Sequence, residues 1–189
     1  MKAVFGLGNP GRKYALTRHN VGFSVIDLYR KTKRLRRPGR IQHQCIVYRR
    51  GNLLLGKPMT YMNESGSAVA GVLRKHRIAP SDALIIYDDL DLLAGRIKIL
   101  AAGGPGSHKG MKSVVESLGT DAIPRLKIGI ETEGRQVPGE HFVLKPFSKD
   151  EWLRVLPSIE RAVEAVGAFA EEDIQAVMTR FNRRDEAGC

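Results

Sequence analysis

The first residues able to do chemistry lie in the glycine-rich loop Gly6-Leu7-Gly8-Asn9-Pro10-Gly11 and its continuation to Asn20. Together they offer two amides and an imidazole: Asn9, His19 and Asn20. An imidazole titrates near neutrality and can take a proton from water. A neutral amide both donates and accepts hydrogen bonds. A second set is Asp88-Asp89-Leu90-Asp91, directly after the apolar run Ala83-Leu84-Ile85-Ile86-Tyr87. Three carboxylates past a strand's carboxyl end fit a site in an open α/β sheet, but also a solvated turn or a metal site. Metal is the weaker idea, because no second acidic cluster offers itself as a partner. A third set is Gly103-Gly104-Pro105-Gly106-Ser107-His108-Lys109-Gly110, whose backbone amides and following helix start could hold an anion.

The opening loop also matches the dinucleotide fingerprint as Gly6-x-Gly8-x-x-Gly11. That motif needs a helix opening inside it. Here residues 12–18 show no apolar face at helical spacing, and Asp27 is the sole acid between Met1 and Asn63. The cofactor reading is therefore disfavoured. A plain Gly-Pro turn stays open, although it does not explain why Asn9 and His19 share the loop.

The elements that must position these groups follow from periodicity. Residues 2–5 predict a short buried strand, and 22–35 a helix with Val21, Val25, Leu28 and Thr32 on one stripe. Residues 41–48 and 53–56 predict two strands about the turn Arg49-Arg50-Gly51-Asn52. A second helix is expected from Ser67, then a doubly buried strand over 83–87 that stops before the carboxylates. Residues 96–99 and 125–131 alternate as strands, with a helix from Gly110 or Met111 to Gly119 between them. Ser148-Lys149-Asp150-Glu151 is a capping box, and helices over 158–169 and 173–181 complete the chain. This order predicts an α/β fold: residues 1–189 as one domain, with a mixed, twisted central sheet flanked by helices on both faces.

Composition bounds the partner. The net charge is +11, and ten Lys/Arg with no acid lie between Leu28 and Asn63. Such an imbalance points to a polyanion, most simply nucleic acid; a merely solubilising surface is the competing account. Cys45 and Cys189 are too few for a disulfide framework and lack metal-site spacing, which suits a reducing cytoplasm. No signal peptide is expected at the start, and no apolar run reaches the roughly 20 residues needed to span a bilayer.

Four segments together resemble the bacterial-type peptidyl-tRNA hydrolase family. They are Gly8-Asn9-Pro10-Gly11 with Tyr14 and Thr17-Arg18-His19-Asn20; Lys57-Pro58-Met59-Thr60-Tyr61-Met62-Asn63-Glu64-Ser65-Gly66; Asp88-Asp89-Leu90-Asp91-Leu92 running on through Gly95 to residues 103–112; and Arg125-Leu126-Lys127-Ile128-Gly129-Ile130 with Phe142-Val143-Leu144. The resemblance implies hydrolysis of the ester joining a peptide to the 3′ end of tRNA, without metal or cofactor, by a cytoplasmic monomer with no membrane partner. It implies His19 as general base, oriented and made more basic by Asp88. The other histidines, His43, His76, His108 and His141, are expected in bland roles, although His108 sits in a suggestive loop. Asp89 and Asp91 are expected to be structural or solvated.

By the same resemblance Asn9, Asn63 and Lys109 contact the peptide or the terminal adenosine. Tyr14 and Tyr61 line the pocket, where they could stack on a base or ribose. Asn63 could instead simply cap the helix that follows. Lys109 departs from the asparagine common at its position, so a donor role survives and an acceptor role does not. Leu100 stands where relatives often place a base, leaving Lys98 and Lys127 as expected tRNA phosphate ligands. The competing function is an RNA-binding relative with reduced or no hydrolysis; a dinucleotide-dependent oxidoreductase is a distant third.

Overall fold

The structure, a computed structural model, describes residues 1–132 and 135–183. Cys189 lies outside the described residues. Among the described residues seven strands form one sheet in the order β2-β3-β4-β1-β5-β7-β6. They are β1 (Lys2–Gly6), β2 (Arg40–Gln42), β3 (Cys45–Arg50), β4 (Leu53–Pro58), β5 (Ala83–Leu93), β6 (Ile97–Leu100) and β7 (Arg125–Glu131). The inner strands β4, β1, β5 and β7 run parallel, and the antiparallel partners β3, β2 and β6 close the two edges. The mixed α/β sheet expected from the sequence is therefore present.

The helices that accompany it are α1 (Val21–Thr32), α2 (Ser65–His76), α3 (Lys109–Leu118), the single turn α4 (Gly139–Phe142), α5 (Lys149–Glu171) and α6 (Ile174–Phe181). One core lies between α1, α5, α6 and the sheet face of Val4, Leu55, Leu84, Ile86 and Ile128. The other lies between α2, α3 and the face of Phe5, Leu54, Ile85 and Tyr87. Alternation along the parallel strands thus feeds both cores, which is why they read as continuous apolar runs.

Three boundaries differ from expectation, each for a local reason. Residues 41–48 are two strands, because His43 and Gln44 make a tight turn with φ of 47° and 55°. A two-residue hairpin wants left-handed residues, usually Asn-Gly, and nothing here announces it. Helix α1 ends at Thr32, not 35: Arg34 takes φ 53° and the Leu35 N–H turns back to the Arg30 carbonyl at 2.9 Å. That is a left-handed helix end built without glycine. At the other extreme, α5 runs unbroken through Pro157, whose ring sits on the exposed side.

The fourth difference matters most for function. Strand β5 does not stop before the carboxylates. Pairing with β7 continues through Asp88 opposite Ile128 and Asp89 opposite Gly129, breaks at an irregularity, and resumes at Leu93 opposite Glu131. The charges are tolerated inside the strand because each buried carboxylate has its own partners.

Candidate active site

The polar loop leaves the carboxyl end of β1 beside the carboxyl half of β5, where the chain departs to opposite sides of the sheet. The Leu7 N–H bonds to the Ile86 carbonyl at 2.9 Å, so the loop starts pinned to β5. Glycines serve packing here rather than a pyrophosphate. A Cβ on Gly22 would stand 2.5 Å from the Ile86 oxygen, and one on Gly6 would overlap the Gly22 carbonyl. Helix α1 opens only at Val21, well past Gly11, so the fingerprint lacks the helix that it requires.

Asn9 and Asn20 close the loop on itself. Asn20 Oδ1 accepts from the Asn9 N–H at 2.8 Å, and Asn20 Nδ2 donates to the Asn9 carbonyl at 2.9 Å. Asn9 Oδ1 accepts from the Met62 N–H at 2.8 Å. A backbone N–H can only donate, so this bond fixes the amide orientation and leaves Nδ2 as the group without a partner among the described residues.

His19 sits on a 3₁₀ turn, Arg18–Asn20, anchored from the far end of the chain. Its N–H bonds to the Val143 carbonyl at 2.9 Å, and the Arg18 N–H to that of Lys145 at 3.1 Å. The buried Arg18 guanidinium adds bonds to the Lys145 and Pro146 carbonyls, each 3.0 Å, and an ion pair with Glu151. Glu151 is also the capping-box residue of α5. The capping box read from the sequence therefore holds the histidine loop as well as a helix.

His19 Nδ1 lies 2.8 Å from Asp88 Oδ1. His108 joins the same atom: its Nε2 is 3.1 Å from Asp88 Oδ1, and its ring packs on Tyr87 at 4.6 Å between centroids. His108 was expected in a bland role. It does cap α3, its Nδ1 accepting from the Met111 N–H at 3.1 Å, but its other nitrogen belongs to the site. In sequence its only mark is its place at the end of the glycine-rich loop.

The hydrogen bonds separate the two imidazoles. His108 Nδ1 accepts from an N–H, so Nε2 carries the proton and donates to Asp88. Both its nitrogens are committed. His19 gives Nδ1 to Asp88, and its Nε2 has no partner among the described residues. Asp88 is 2% exposed. Burial alone would raise its carboxyl pKa, but attraction to His19 and His108 and their hydrogen bonds outweigh it and hold the pKa well below the usual carboxylate range. Asp88 thus stays a carboxylate. The three donor atoms lie within 4.8 Å of one another, a spacing that a cation could use, yet both nitrogens point at one oxygen at hydrogen-bond distance.

The remaining candidates divide. Tyr61 precedes the Met62 amide that holds Asn9 and is 57% exposed; Tyr14 is half-buried under the Lys13 ammonium. Asn63 is exposed on the 3₁₀ turn Met62–Glu64 and makes no capping bond, so the cap reading fails and its amide has no partner among the described residues. Lys109 is exposed at the first turn of α3, next to His108. Lys98 and Lys127 are cross-strand neighbours on β6 and β7. Lys98 is exposed, whereas Lys127 Nζ is tied to Asp89 Oδ2 at 2.6 Å. Asp89 also accepts from the Asp91 N–H at 2.7 Å, which gives it a structural role.

A family model described as peptidyl-tRNA hydrolase matches residues 3–188. The chain belongs to the peptidyl-tRNA hydrolase family. It is 42% identical to a peptidyl-tRNA hydrolase of Symbiobacterium thermophilum, over 96% of this chain and 98% of that one. It is 44% identical to that of Moorella thermoacetica, over 95% and 96%. A crystal structure of the peptidyl-tRNA hydrolase from Acinetobacter baumannii superposes with a TM-score of 0.85 at 30% identity, covering 96% of this chain and 94% of that chain. The family expectation drawn from the four segments and the sheet architecture therefore both hold.

Proposed function

We propose that this chain hydrolyses the ester between a peptide and the 3′ end of tRNA, with His19 as general base and Asp88 as its orienting counter-charge. The observation that carries the assignment is the asymmetry of the two imidazoles: both bond to Asp88 Oδ1, and His19 alone of the two keeps a nitrogen, Nε2, without a partner among the described residues and so available to a water. Nε2 takes a proton as the water oxygen attacks the ester carbonyl. The imidazolium, stabilised by Asp88, returns that proton to the departing ribose oxygen. The products are a free peptide acid and a reusable tRNA.

Asn9 Nδ2 is a fixed donor beside the base and suits the peptide carbonyl. Asn63, Tyr14, Tyr61 and Lys109 are the further groups for the peptide and terminal adenosine, with Lys98 the more available phosphate ligand and Lys127 the less. Action as a monomer is part of the same reading. Among the described residues no helix is long and apolar enough to cross a membrane, in keeping with a cytoplasmic enzyme.

The test is release of N-acetyl-aminoacyl groups from tRNA by the purified protein in the presence of EDTA. Turnover is expected, and His19→Ala should lower it by about 10²–10⁴-fold with tRNA affinity retained. Tight tRNA binding without turnover in the parent protein would instead favour the RNA-binding reading.

A further inference from the structure

The fold gathers the basic excess at the pole opposite the catalytic loop. His19 lies two residues before α1, and the twelve residues of α1 span about 18 Å to its far end, where Lys31, Arg34, Arg36 and Arg37 cluster. Strand β3 delivers Arg49 and Arg50 to the same end, since Arg50 pairs in register with Leu53, at the start of β4. The two elements meet there: Arg50 Nη1 donates to the Tyr29 hydroxyl at 3.2 Å, and the Arg30 guanidinium lies 3.6 Å above the Tyr48 ring. The result is a shelf between α1 and the β2–β3 edge, with a shallow cavity lined by Asp27, Arg30, Lys31, Arg34, Leu35 and Arg36.

Little on this shelf neutralises it. Among the described residues Asp27 is the one acid lining it, already paired with Lys57 at 2.6 Å and lying 3.7 Å from Arg30. Glu160 and Glu164 of α5 border the neighbouring cavity on the Lys33 side. Lys31, Arg34, Arg36 and Arg37 are exposed and form no ion pair among the described residues. By contrast, the cation nearer the site, Lys127, spends its charge on Asp89.

We propose that this shelf holds the double-helical phosphate backbone of the substrate tRNA's body, a second contact about 18 Å from the ester. The inference rests on the peptidyl-tRNA reading for its substrate. Backbone phosphates reward a row of exposed, unpaired cations through counterion release, without base contacts. The shelf lies one α1 length from the base, and a tRNA stem continues well beyond that distance from its 3′ end. Three cations there anchor the substrate while the loop does the chemistry.

The experiment compares the parent with the triple variant Lys31→Gln, Arg34→Gln, Arg36→Gln, whose side chains are solvent-facing and whose Tm should match. Two substrates are used: full-length N-acetyl-aminoacyl-tRNA and the same acyl ester on a CCA trinucleotide. The expected result is a KM for full-length substrate raised about tenfold with kcat retained, a log–log salt slope flatter by about 2.7, at about 0.9 for each of the three cations removed, and an unchanged CCA ester. Equal effects on both substrates, or none on either, overturn the proposal. Affinity for deacylated tRNA is measured in parallel. If the parent cleaves neither ester, the activity reading fails, while loss of tRNA affinity in the variant still supports the shelf. Retained tRNA affinity with lost binding to phosphatidylserine vesicles would assign the surface to membranes and sink the proposal.

Discussion

At the scale of single residues, one carboxylate oxygen shared by two imidazoles yields predictions of opposite sign. Asp88→Asn removes the counter-charge of the His19 imidazolium, so the kinetic pKa of the acid limb should fall. His108→Ala removes a donor from Asp88, leaves the carboxylate a stronger acceptor for His19, and should move that limb upward while kcat drops. pH–rate profiles of both variants decide this; shifts in the same direction would separate His108 from the Asp88 hydrogen bond. Asp88 itself should not titrate in the profile, because its pKa is depressed. Selectivity is argued at Asn9. Its Oδ1 is consumed by the Met62 N–H, so Asn9→Asp keeps that structural bond and replaces only the free Nδ2 by a charged oxygen. The carboxylate loses a donor to the peptide carbonyl and attracts the ammonium of an ordinary aminoacyl-tRNA. The ratio of kcat/KM for N-acetyl-aminoacyl-tRNA over aminoacyl-tRNA should fall, mainly through the blocked substrate; an unaltered ratio moves the discrimination to Asn63. Sequence shows Asn9 and His19 because they share one loop. His108 stays hidden because it caps α3 while its partner lies on β5, and a carboxylate's second ligand leaves no trace in spacing.

At the scale of elements, the turn that carries His19 is held by a helix that it does not touch in sequence. Glu151 closes the capping box of α5 and also receives Arg18, beside His19. Burial would raise its pKa, but the hydrogen bonds from the Ser148 backbone N–H and Arg18 outweigh that and keep it below the usual range. A depressed carboxylate stabilises the fold above its unfolded pKa, roughly 4.3, and that contribution disappears as pH falls through the native value. Glu151→Gln should therefore lower Tm by a near-constant amount from pH 5 to 8, with the gap to the parent closing in more acid solution. A gap that persists at pH 3 would show that the carboxylate charge is not what matters. The capping box is legible from four consecutive residues, whereas the second use of Glu151 depends on a chain crossing of more than a hundred positions. The same contrast runs through the sheet. Apolar runs give β1 and β5 their places, but the extension of β5 through Asp88 and Asp89 is set by backbone pairing with β7 and by partners for each charge. Likewise the α1 end and the β2–β3 turn rest on Arg34, His43 and Gln44 at positive φ, residues whose types do not advertise it.

At the scale of the whole molecule, the question is which cations of a chain with net charge +11 are available to a polyanion. Composition treats all 31 Lys and Arg alike; the fold does not. Lys98 and Lys127 sit side by side across β6 and β7 and look equivalent from their alternation, yet Lys127 is bound to Asp89 at 2.6 Å and Lys98 is free and exposed. A phosphate reaching Lys127 must compete with a buried carboxylate, and it gains little from a charge already neutralised. Lys98→Ala should therefore flatten the log–log salt dependence of tRNA affinity by nearly one unit, about 0.7–0.9, and Lys127→Ala by clearly less. Asp89→Asn should do the reverse, releasing the Lys127 ammonium and steepening the slope while tightening binding at low salt. Titrating tRNA against these three variants over a series of salt concentrations distinguishes the outcomes. Equal flattening by Lys98→Ala and Lys127→Ala would mean that the Asp89 pair opens at no cost when RNA arrives, and that the strand end around Asp89 rearranges in the complex.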